Sequence, residues 1–180
     1  MELLLIRHGQ TTSDLEDRYG GTYDDHLTEL GREQLQTTAE QLVDKEIKAI
    51  YHSPLIRARE SAEIIASKIN CPLVEIAGLK ERDYGILGGL TKAEALDKYS
   101  DVVEAHKDYR NTDPEGESWE DFNARVGDAF VEIMNHASAA GQKTIIILAH
   151  GGSLKRILDH LGEPLPDSIA DGGIIEILVD

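Results

Sequence analysis

The sequence predicts an α/β fold, a three-layer sandwich in which helices cover both faces of a mostly parallel central sheet. Short apolar stretches alternate along the chain with longer amphipathic ones, as strands alternate with helices. The strongest strand signal, Thr144–Leu148, is almost wholly apolar, as buried parallel strands are. The chain has 180 residues, of which 41% are hydrophobic, which suits one domain with a full core. We therefore expect residues 1–180 to form a single domain.

The first half of the chain is predicted to supply three strands and two helices. The strands are expected at Leu3–Ile6, Ala49–His52 and Leu73–Ile76. Residues 10–27 are polar and contain Gly20-Gly21, so they are predicted to form a loop with turns. Thr28 is placed to cap a helix that runs to about residue 44, and Ser53-Pro54 is expected to start the second helix.

The second half begins with a less regular stretch. Residues 79–90 are predicted to be a Gly-rich loop, 91–99 a helix and 100–117 an exposed polar segment. We expect 79–117 as a whole to form a cap that determines substrate specificity. A helix capped by Ser118 should run to about residue 139, followed by the strand Thr144–Leu148, a helix at Gly152–Leu161 and a last strand at Ile174–Val179.

The composition limits the partners of the protein. The net charge is −16, with 34 acidic and 18 basic residues, so the surface should repel nucleic acid. The apolar runs are far shorter than the ~20 residues that span a bilayer. Cys71 is the single cysteine, and no basic, hydrophobic leader precedes the first strand. These features predict a cytoplasmic protein that binds neither nucleic acid nor membrane, and no feature indicates an oligomeric state.

Two histidines follow apolar strands directly. Arg7-His8-Gly9 ends the strand Leu3–Ile6, and His150-Gly151 follows the strand Thr144–Leu148. Because the carboxyl ends of parallel strands meet at one edge of a sheet, both histidines are expected at the same ligand-binding edge. A guanidinium can grip two phosphate oxygens while an imidazole attacks phosphorus. The pattern therefore predicts a phosphate site.

Four segments, in order, resemble the histidine phosphatase superfamily, which includes the cofactor-dependent phosphoglycerate mutases. They are Arg7-His8-Gly9, the segment His52–Ser61 around Arg57, the segment Leu79–Gly85 around Glu81, and the segment Ile145–Leu154 around His150. They extend from residue 7 to residue 154, which is nearly the whole chain. The resemblance implies a phosphoglycerate mutase-like fold and a single histidine phosphatase domain.

The resemblance also implies residue roles. His8 is expected to be the nucleophile that is transiently phosphorylated, Glu81 the general acid, and His150 a phosphate contact that stabilises charge during transfer. Two arginines can neutralise the transferring phosphoryl group, so neither metal nor cofactor is expected. The expected phosphate-binding residues are Arg7, Arg57, His150, Gln10, Thr11 and Gly151.

The expected substrate contacts give conflicting indications of the reaction. By resemblance to the mutases, Arg82, Tyr84 and Lys92 should contact a small phosphorylated metabolite, together with Gly20 and Gly21. The mutases also carry an arginine pair where this chain has His106-Lys107, and they are longer chains. His150-Gly151-Gly152 and the segment Asp113–Ser118 resemble phosphatases instead. We therefore expect phosphomonoester hydrolysis, with phosphoglycerate mutase activity as the alternative.

One departure from the family pattern keeps other interpretations open. The family usually has asparagine where this chain has Asp14, a carboxylate that would repel phosphate unless it is protonated or turned away. Asp14 is the one feature that favours a non-catalytic phosphate-binding regulatory module. A metal hydrolase that uses His8, His52 and His150 is a further alternative, although their spacing matches no known metal motif and nearby arginines would repel a cation.

Overall fold

A five-stranded sheet forms the centre of the protein, here described for residues 1–179 from a computed structural model. The strands are β1 (Glu2–Arg7), β2 (Ile50–His52), β3 (Leu73–Glu75), β4 (Thr144–Ala149) and β5 (Ile174–Leu178). Their order across the sheet is β3-β2-β4-β1-β5. The first four strands run parallel, and β5 pairs antiparallel with β1 at one edge. The predicted mostly parallel sheet is thus confirmed.

Helices cover both faces of this sheet. They are α1 (Thr12–Leu15), α2 (Glu29–Gln41), α3 (Ile56–Ile69), α4 (Lys92–His106), α5 (Trp119–Ala139) and α6 (Gly151–Leu161), with 3₁₀ turns at Ala77–Leu79 and Gly85–Leu87. Alternate residues of β1 enter opposite cores, because side chains of a strand alternate between its faces. Leu3 and Leu5 pack with α5 and α6, whereas Leu4 and Ile6 pack with α2 and α3. This arrangement confirms the three-layer α/β fold.

Three predicted segments differ from the structure. The helix α3 begins at Ile56 rather than at Ser53-Pro54, because the Ser53 amide continues the sheet by donating to the Leu148 carbonyl at 3.1 Å. The predicted loop at 10–27 contains the one-turn helix α1. The predicted helix at 91–99 continues as α4 to His106, through a non-helical residue at Tyr99 (φ −141°, ψ 45°).

The predicted exposure of residues 100–117 holds for most of the segment but is wrong for Asp113. Its side chain is buried, and Oδ2 lies 2.7 Å from Nδ1 of His106 at the end of α4. The Gly116 amide donates to the Asp113 carbonyl, and the Ile86 amide donates to the Pro114 carbonyl. These bonds fold the end of the segment back onto the Gly85–Leu87 turn.

The strand register places the two motif histidines side by side. Arg7 of β1 pairs with Ala149 of β4, so His8 and His150 leave neighbouring strands at the same level. Helix α2 packs closely against the turn after His8. A Cβ on Gly9 would lie 2.4 Å from Leu35 Cδ2 and 2.5 Å from the Gly31 carbonyl oxygen, so only glycine fits there.

No helix within residues 1–179 combines the length and the apolar character that crossing a membrane requires.

Candidate active site

A pocket of about 610 Å³ opens at the carboxyl ends of β1 and β4. This is the edge at which the sequence predicted a phosphate site. Most of the predicted residues line it: Arg7, His8, Thr11, Gly20, Gly21, Arg57, Glu81, Tyr84 and Gly151. Residues from four separate motifs thus converge on one cavity.

One ring nitrogen of His8 is unprotonated and therefore carries a lone pair. Its Nδ1 lies 2.8 Å from the Gly9 carbonyl oxygen, which can only accept, so Nδ1 carries the proton and Nε2 does not. Arg57 Nε donates to His8 Nε2 at 3.3 Å. Burial, followed by the charges of Arg57 and Arg7, lowers the pKa of His8 to about 3. The ring is therefore neutral at physiological pH and nucleophilic at Nε2.

Arg57 is held rigidly at the first turn of α3. Its NH1 donates to the Tyr23 carbonyl and to Asp25 Oδ1, both at 2.8 Å, and NH2 donates to the Gly21 carbonyl at 2.7 Å. Burial raises the pKa of the Asp25 carboxyl, but the Arg57 charge and local hydrogen bonds outweigh it, so the pKa is lowered overall. Asp25 is thus an ionised carboxylate in the pocket wall that the sequence analysis did not identify.

His150 lies beside His8, with 5.1 Å between the ring centroids and 58° between the ring planes. It is buried next to the pocket rather than among the residues that line it. Its Nε2 lies 2.8 Å from Ser53 Oγ, and its buried Nδ1 has no hydrogen-bond partner within residues 1–179. Burial, followed by the Arg57 charge, holds the pKa of His150 well below its usual value. A second neutral imidazole therefore adjoins the first.

Arg7 lines the pocket and contacts Ile169 and Asp171, which precede β5. Its NH1 donates to the Ile169 carbonyl at 2.7 Å, and its NH2 lies 3.2 Å from Asp171 Oδ1. Burial raises the pKa of Asp171, although the Arg7 charge opposes this effect. Arg7 thus orients the segment that forms one wall of the pocket.

Two backbone amides hold the Glu81 carboxylate. Oε1 accepts from the Arg82 amide and Oε2 from the Gly152 amide, each at 2.8 Å. A Cβ on Gly152 would lie 2.3 Å from Glu81 Oε1, so the glycine leaves the space that the carboxylate occupies. Glu81 is buried and lines the pocket, where a proton donor for a leaving group would have to lie.

Asp14 lines the same pocket, but a helix cap fixes its carboxylate. Its Oδ2 accepts from the Thr11 amide at 2.7 Å and from Thr11 Oγ1 at 2.9 Å, which forms a capping box at the start of α1. The two bonds satisfy one oxygen without neutralising the charge. Asp14 therefore combines a structural contact with a position in the pocket wall.

Besides His150, three predicted site residues do not line the pocket. The Gln10 side chain accepts from Thr28 Oγ1 at 2.8 Å. Arg82 is buried and donates to backbone carbonyls between residues 109 and 117. Lys92 is exposed and pairs with Asp17 at 2.6 Å. Each of these side chains is engaged in a local structural contact.

Further pocket residues were not predicted from the sequence: Ser13, Arg18, Asp25, Tyr109, Gly152, Lys155, Arg156, Leu165, Asp167, Ser168 and Ile169. Most lie on α6 and on the segment that follows it. The sequence held one signal for them, because Lys155 and Arg156 come about one helical turn after the predicted ligand-binding strand end.

Within residues 1–179, no group of three or more histidine, cysteine, aspartate or glutamate side chains is arranged to hold a metal ion.

Comparisons with known proteins agree with this geometry. A family model described as histidine phosphatase superfamily (branch 1) matches residues 3–171. The chain is 33% identical over 172 residues to 2,3-bisphosphoglycerate-dependent phosphoglycerate mutase 2 of Gloeobacter violaceus, which covers 93% of this chain and 78% of the relative. It is 32% identical over 162 residues to the uncharacterized phosphatase PhoE of Bacillus subtilis, which covers 89% and 78%.

A solved structure shares the fold over almost the whole chain. The mycobacterial glucosyl-3-phosphoglycerate phosphatase superposes with a TM-score of 0.84 at 25% identity, covering 98% of this chain and 90% of that one. The similar proteins therefore include both phosphatases and mutases.

Proposed function

Because the chain belongs to the histidine phosphatase superfamily, we propose that it hydrolyses small phosphomonoesters through a phosphohistidine formed on His8. The observation that carries the proposal is the unprotonated Nε2 of His8, a residue that lines the pocket and accepts a hydrogen bond from the fixed guanidinium of Arg57. The neutral ring, the adjacent cations and the buried Glu81 are the groups that this reaction needs.

In the first step, His8 Nε2 gives up the hydrogen bond that it accepts from Arg57 Nε, attacks the phosphorus atom and forms a P–N bond. The bond between phosphorus and the ester oxygen breaks, and its electron pair goes to the leaving alkoxide. A proton passes from the carboxyl group of Glu81 to that alkoxide, so that an alcohol departs. Arg7 and Arg57 offset the charge of the equatorial oxygens during transfer.

In the second step, water attacks the phosphohistidine. Glu81, now a carboxylate, accepts a proton from the water as the new P–O bond forms. The P–N bond breaks, its electrons return to His8 Nε2, and inorganic phosphate leaves. Both half-reactions use the same donor and acceptor groups.

Phosphoglycerate mutase activity is the second candidate, and the name of the Gloeobacter relative favours it. Two observations support hydrolysis instead. Arg82 and Lys92, predicted to contact substrate as in the mutases, lie outside the pocket. Gly152, in the His150-Gly151-Gly152 segment that resembles phosphatases, makes room for the Glu81 carboxylate.

The test begins with covalent trapping. We expect the wild-type protein to form a base-stable, acid-labile phosphoprotein and to release inorganic phosphate from a panel of phosphomonoesters. His8→Ala should form no phosphoprotein and lose turnover by at least roughly a thousandfold. His52→Gln is the matched control, since its ring is buried nearby and does not line the pocket.

Each alternative has its own outcome in this experiment. A His8→Ala protein with a tenth of the wild-type rate would exclude the covalent role. Interconversion of 2- and 3-phosphoglycerate that outpaces phosphate release, with 2,3-bisphosphoglycerate present, would establish a mutase. Phosphate binding without any phosphoprotein would indicate the non-catalytic module.

A further inference from the structure

A second group of cations lines the pocket in addition to Arg7 and Arg57. Arg156 and Lys155 both line the cavity from α6. Four residues separate Arg156 from Gly152, so it lies about 6 Å further along the helix axis. Side chains of a helix lean toward its N-terminus, which here is the end that holds Glu81 and His8. These cations therefore lie beyond the phosphate site but within reach of a bound ester.

Arg156 is buried to an unusual degree for a pocket cation. Its residue exposure is 7%, and its guanidinium lies 5.4 Å from the ring centroid of Tyr109 and 5.7 Å from that of Trp119. NH1 donates to Asp159 Oδ2 at 3.1 Å, and the Asp159 side chain is half exposed, so solvent screens this pair. Within residues 1–179, the buried Nε of Arg156 has no hydrogen-bond partner. The aromatic rings hold the guanidinium in place, and its Nε–H group remains a hydrogen-bond donor without a partner in the described part of the chain.

Lys155 adds a second positive charge beside it. Its Nζ donates to the backbone carbonyl of Asp167 at 2.7 Å, and no carboxylate in the described part of the chain pairs with it. The exposed Asp167 carboxylate lies on the same rim and opposes anion binding there. Two cations thus lie beside the carboxylates of Asp159 and Asp167, and both carboxylates are exposed to solvent, which screens their charge.

From this arrangement we infer that Arg156, with Lys155, forms a second oxyanion subsite that binds a carboxylate or second phosphate on the leaving group of the substrate. The inference rests on the proposed function, because it assigns the substrate class of the same pocket. The preferred substrates are then phosphomonoesters that carry a second anionic group a few bonds from the ester. The subsite is built on α6, whereas the substrate contacts predicted from the sequence lie on the segment 82–92.

Matched substrate pairs test the inference. 3-Phosphoglycerate and glycerol 3-phosphate differ at one carboxylate, and fructose 1,6-bisphosphate and fructose 6-phosphate differ at one phosphate. We expect wild-type kcat/KM to favour the doubly anionic member of at least one pair by about tenfold or more, since charge-assisted hydrogen bonds are strong. The pair that shows the preference identifies the oxyanion. Arg156→Gln should reduce that ratio about tenfold, and Arg156→Lys should restore part of it.

Arg110→Gln is the control, because Arg110 stacks on the same Trp119 ring at 5.9 Å and does not line the pocket. It should leave the ratio unchanged.

Wild-type ratios near one in both pairs would overturn the inference. An Arg156→Gln variant whose kcat/KM falls equally for both members of a pair would also overturn it. Dissociation constants for the same pairs, measured on His8→Ala protein with and without Arg156→Gln, test the subsite without turnover. Absence of phosphate release from every ester, 4-nitrophenyl phosphate included, would count against the proposed function alone.

Discussion

The glycine at position 152 decides where the Glu81 carboxylate lies. Its amide donates to Glu81 Oε2, and its missing side chain leaves space for Oε1. A methyl group at this position would meet the carboxylate at 2.3 Å, closer than any real contact. Because the Oε1 atom also accepts from the Arg82 amide, the carboxylate cannot move aside without losing a hydrogen bond.

Gly152→Ala should therefore displace the proposed proton donor. We expect kcat for an alkyl phosphate to fall by about tenfold to a hundredfold, because an alkoxide needs a proton in order to leave. The rate for an aryl phosphate should fall far less, since a phenolate leaves without one. The measurement is a series of esters with graded leaving-group pKa, and the slope of log kcat against that pKa should become steeper.

Two further variants serve as a comparison and a control in this experiment. Glu81→Gln should show the same steepened slope, because it removes the proton while keeping the shape of the side chain. Gly127→Ala controls for the glycine substitution itself. Gly127 lies in helix α5, and a Cβ there would have its nearest neighbour, His160 Nδ1, at 3.8 Å. Equal rate losses across the leaving-group series in both Gly152→Ala and Glu81→Gln would make Glu81 a positioning residue.

Single residues also show how far sequence reasoning reaches. Arg7 and His8 were predictable, because a local pattern of strand, cation, imidazole and glycine marks a ligand-binding strand end. Asp25 was not, because its role depends on Arg57, which is 32 residues away in sequence. The position of Arg156 in the pocket was not predictable for the same reason, since Tyr109 and Trp119, which pack against it, lie on segments distant in sequence.

Among the secondary-structure elements, Arg82 determines how the segment after α4 folds back. Its side chain donates to the backbone carbonyls of Tyr109, Asn111 and Glu117, the last two at 2.6 and 2.9 Å. It is buried at 5% exposure. Tyr109 lies in the pocket wall, so Arg82 acts on the site through the segment that it holds.

Arg82→Met should release this segment. Three backbone carbonyls would lose their charged donor, and we expect the free energy of unfolding to fall by about 2 to 4 kcal/mol. Chemical denaturation measures this loss, and limited proteolysis should show faster cleavage within residues 107–117. Lys92→Met is the matched control, because its ion pair with Asp17 is exposed and should contribute at most about 1 kcal/mol. An Arg82→Met protein as stable as Lys92→Met would show that the segment is held by other contacts.

The elements that sequence reasoning placed correctly are those with a strong hydrophobic period. Strands β1 and β4 are continuous apolar runs in the middle of the sheet, and α5 has one buried face along its length. The length of helix α4 was underestimated, because its surface is mostly exposed and Ala95 is its buried residue, so no apolar face marks where it ends. The antiparallel direction of β5 depends on how the chain turns after α6, which no local pattern specifies.

Considered as a whole, the molecule keeps a small cationic pocket within a strongly acidic surface. The net charge is −16, yet Arg7 and Arg57 line the pocket, and neutral His8 and His150 lie beside each other directly after β1 and β4. Because His8 and His150 are buried beside two guanidiniums, they bind protons less readily in the folded protein than in the unfolded chain. The same neutrality that makes His8 a nucleophile therefore sets how stability depends on pH.

The sign of that dependence follows from the pKa of His8, which is about 3 in the folded protein against 6.5 for a histidine free of tertiary contacts. Between these values the unfolded chain binds a proton at His8 and the folded protein does not, so unfolding takes up a proton. Stability should therefore rise with pH across this range by up to about 1.4 kcal/mol per unit for this one group, and it should be lost progressively as pH falls below about 6.5. Denaturation of wild type and His8→Gln from pH 7 to pH 4 measures the difference in slope.

His8→Gln removes the titrating group, so its unfolding free energy should fall less steeply with acid than that of the wild type. The remaining slope comes from His150, whose pKa burial also lowers, and from ionised carboxylates such as Asp25. His26→Gln is the control for the substitution of a histidine as such, since the His26 side chain is 61% exposed and does not line the pocket. Parallel slopes for wild type and His8→Gln would mean that His8 accepts a proton in the folded protein as readily as in the unfolded chain. The neutral nucleophile on which the proposed reaction depends would then be lost at mildly acidic pH, and phosphohistidine formation should decline with the ordinary titration of an imidazole.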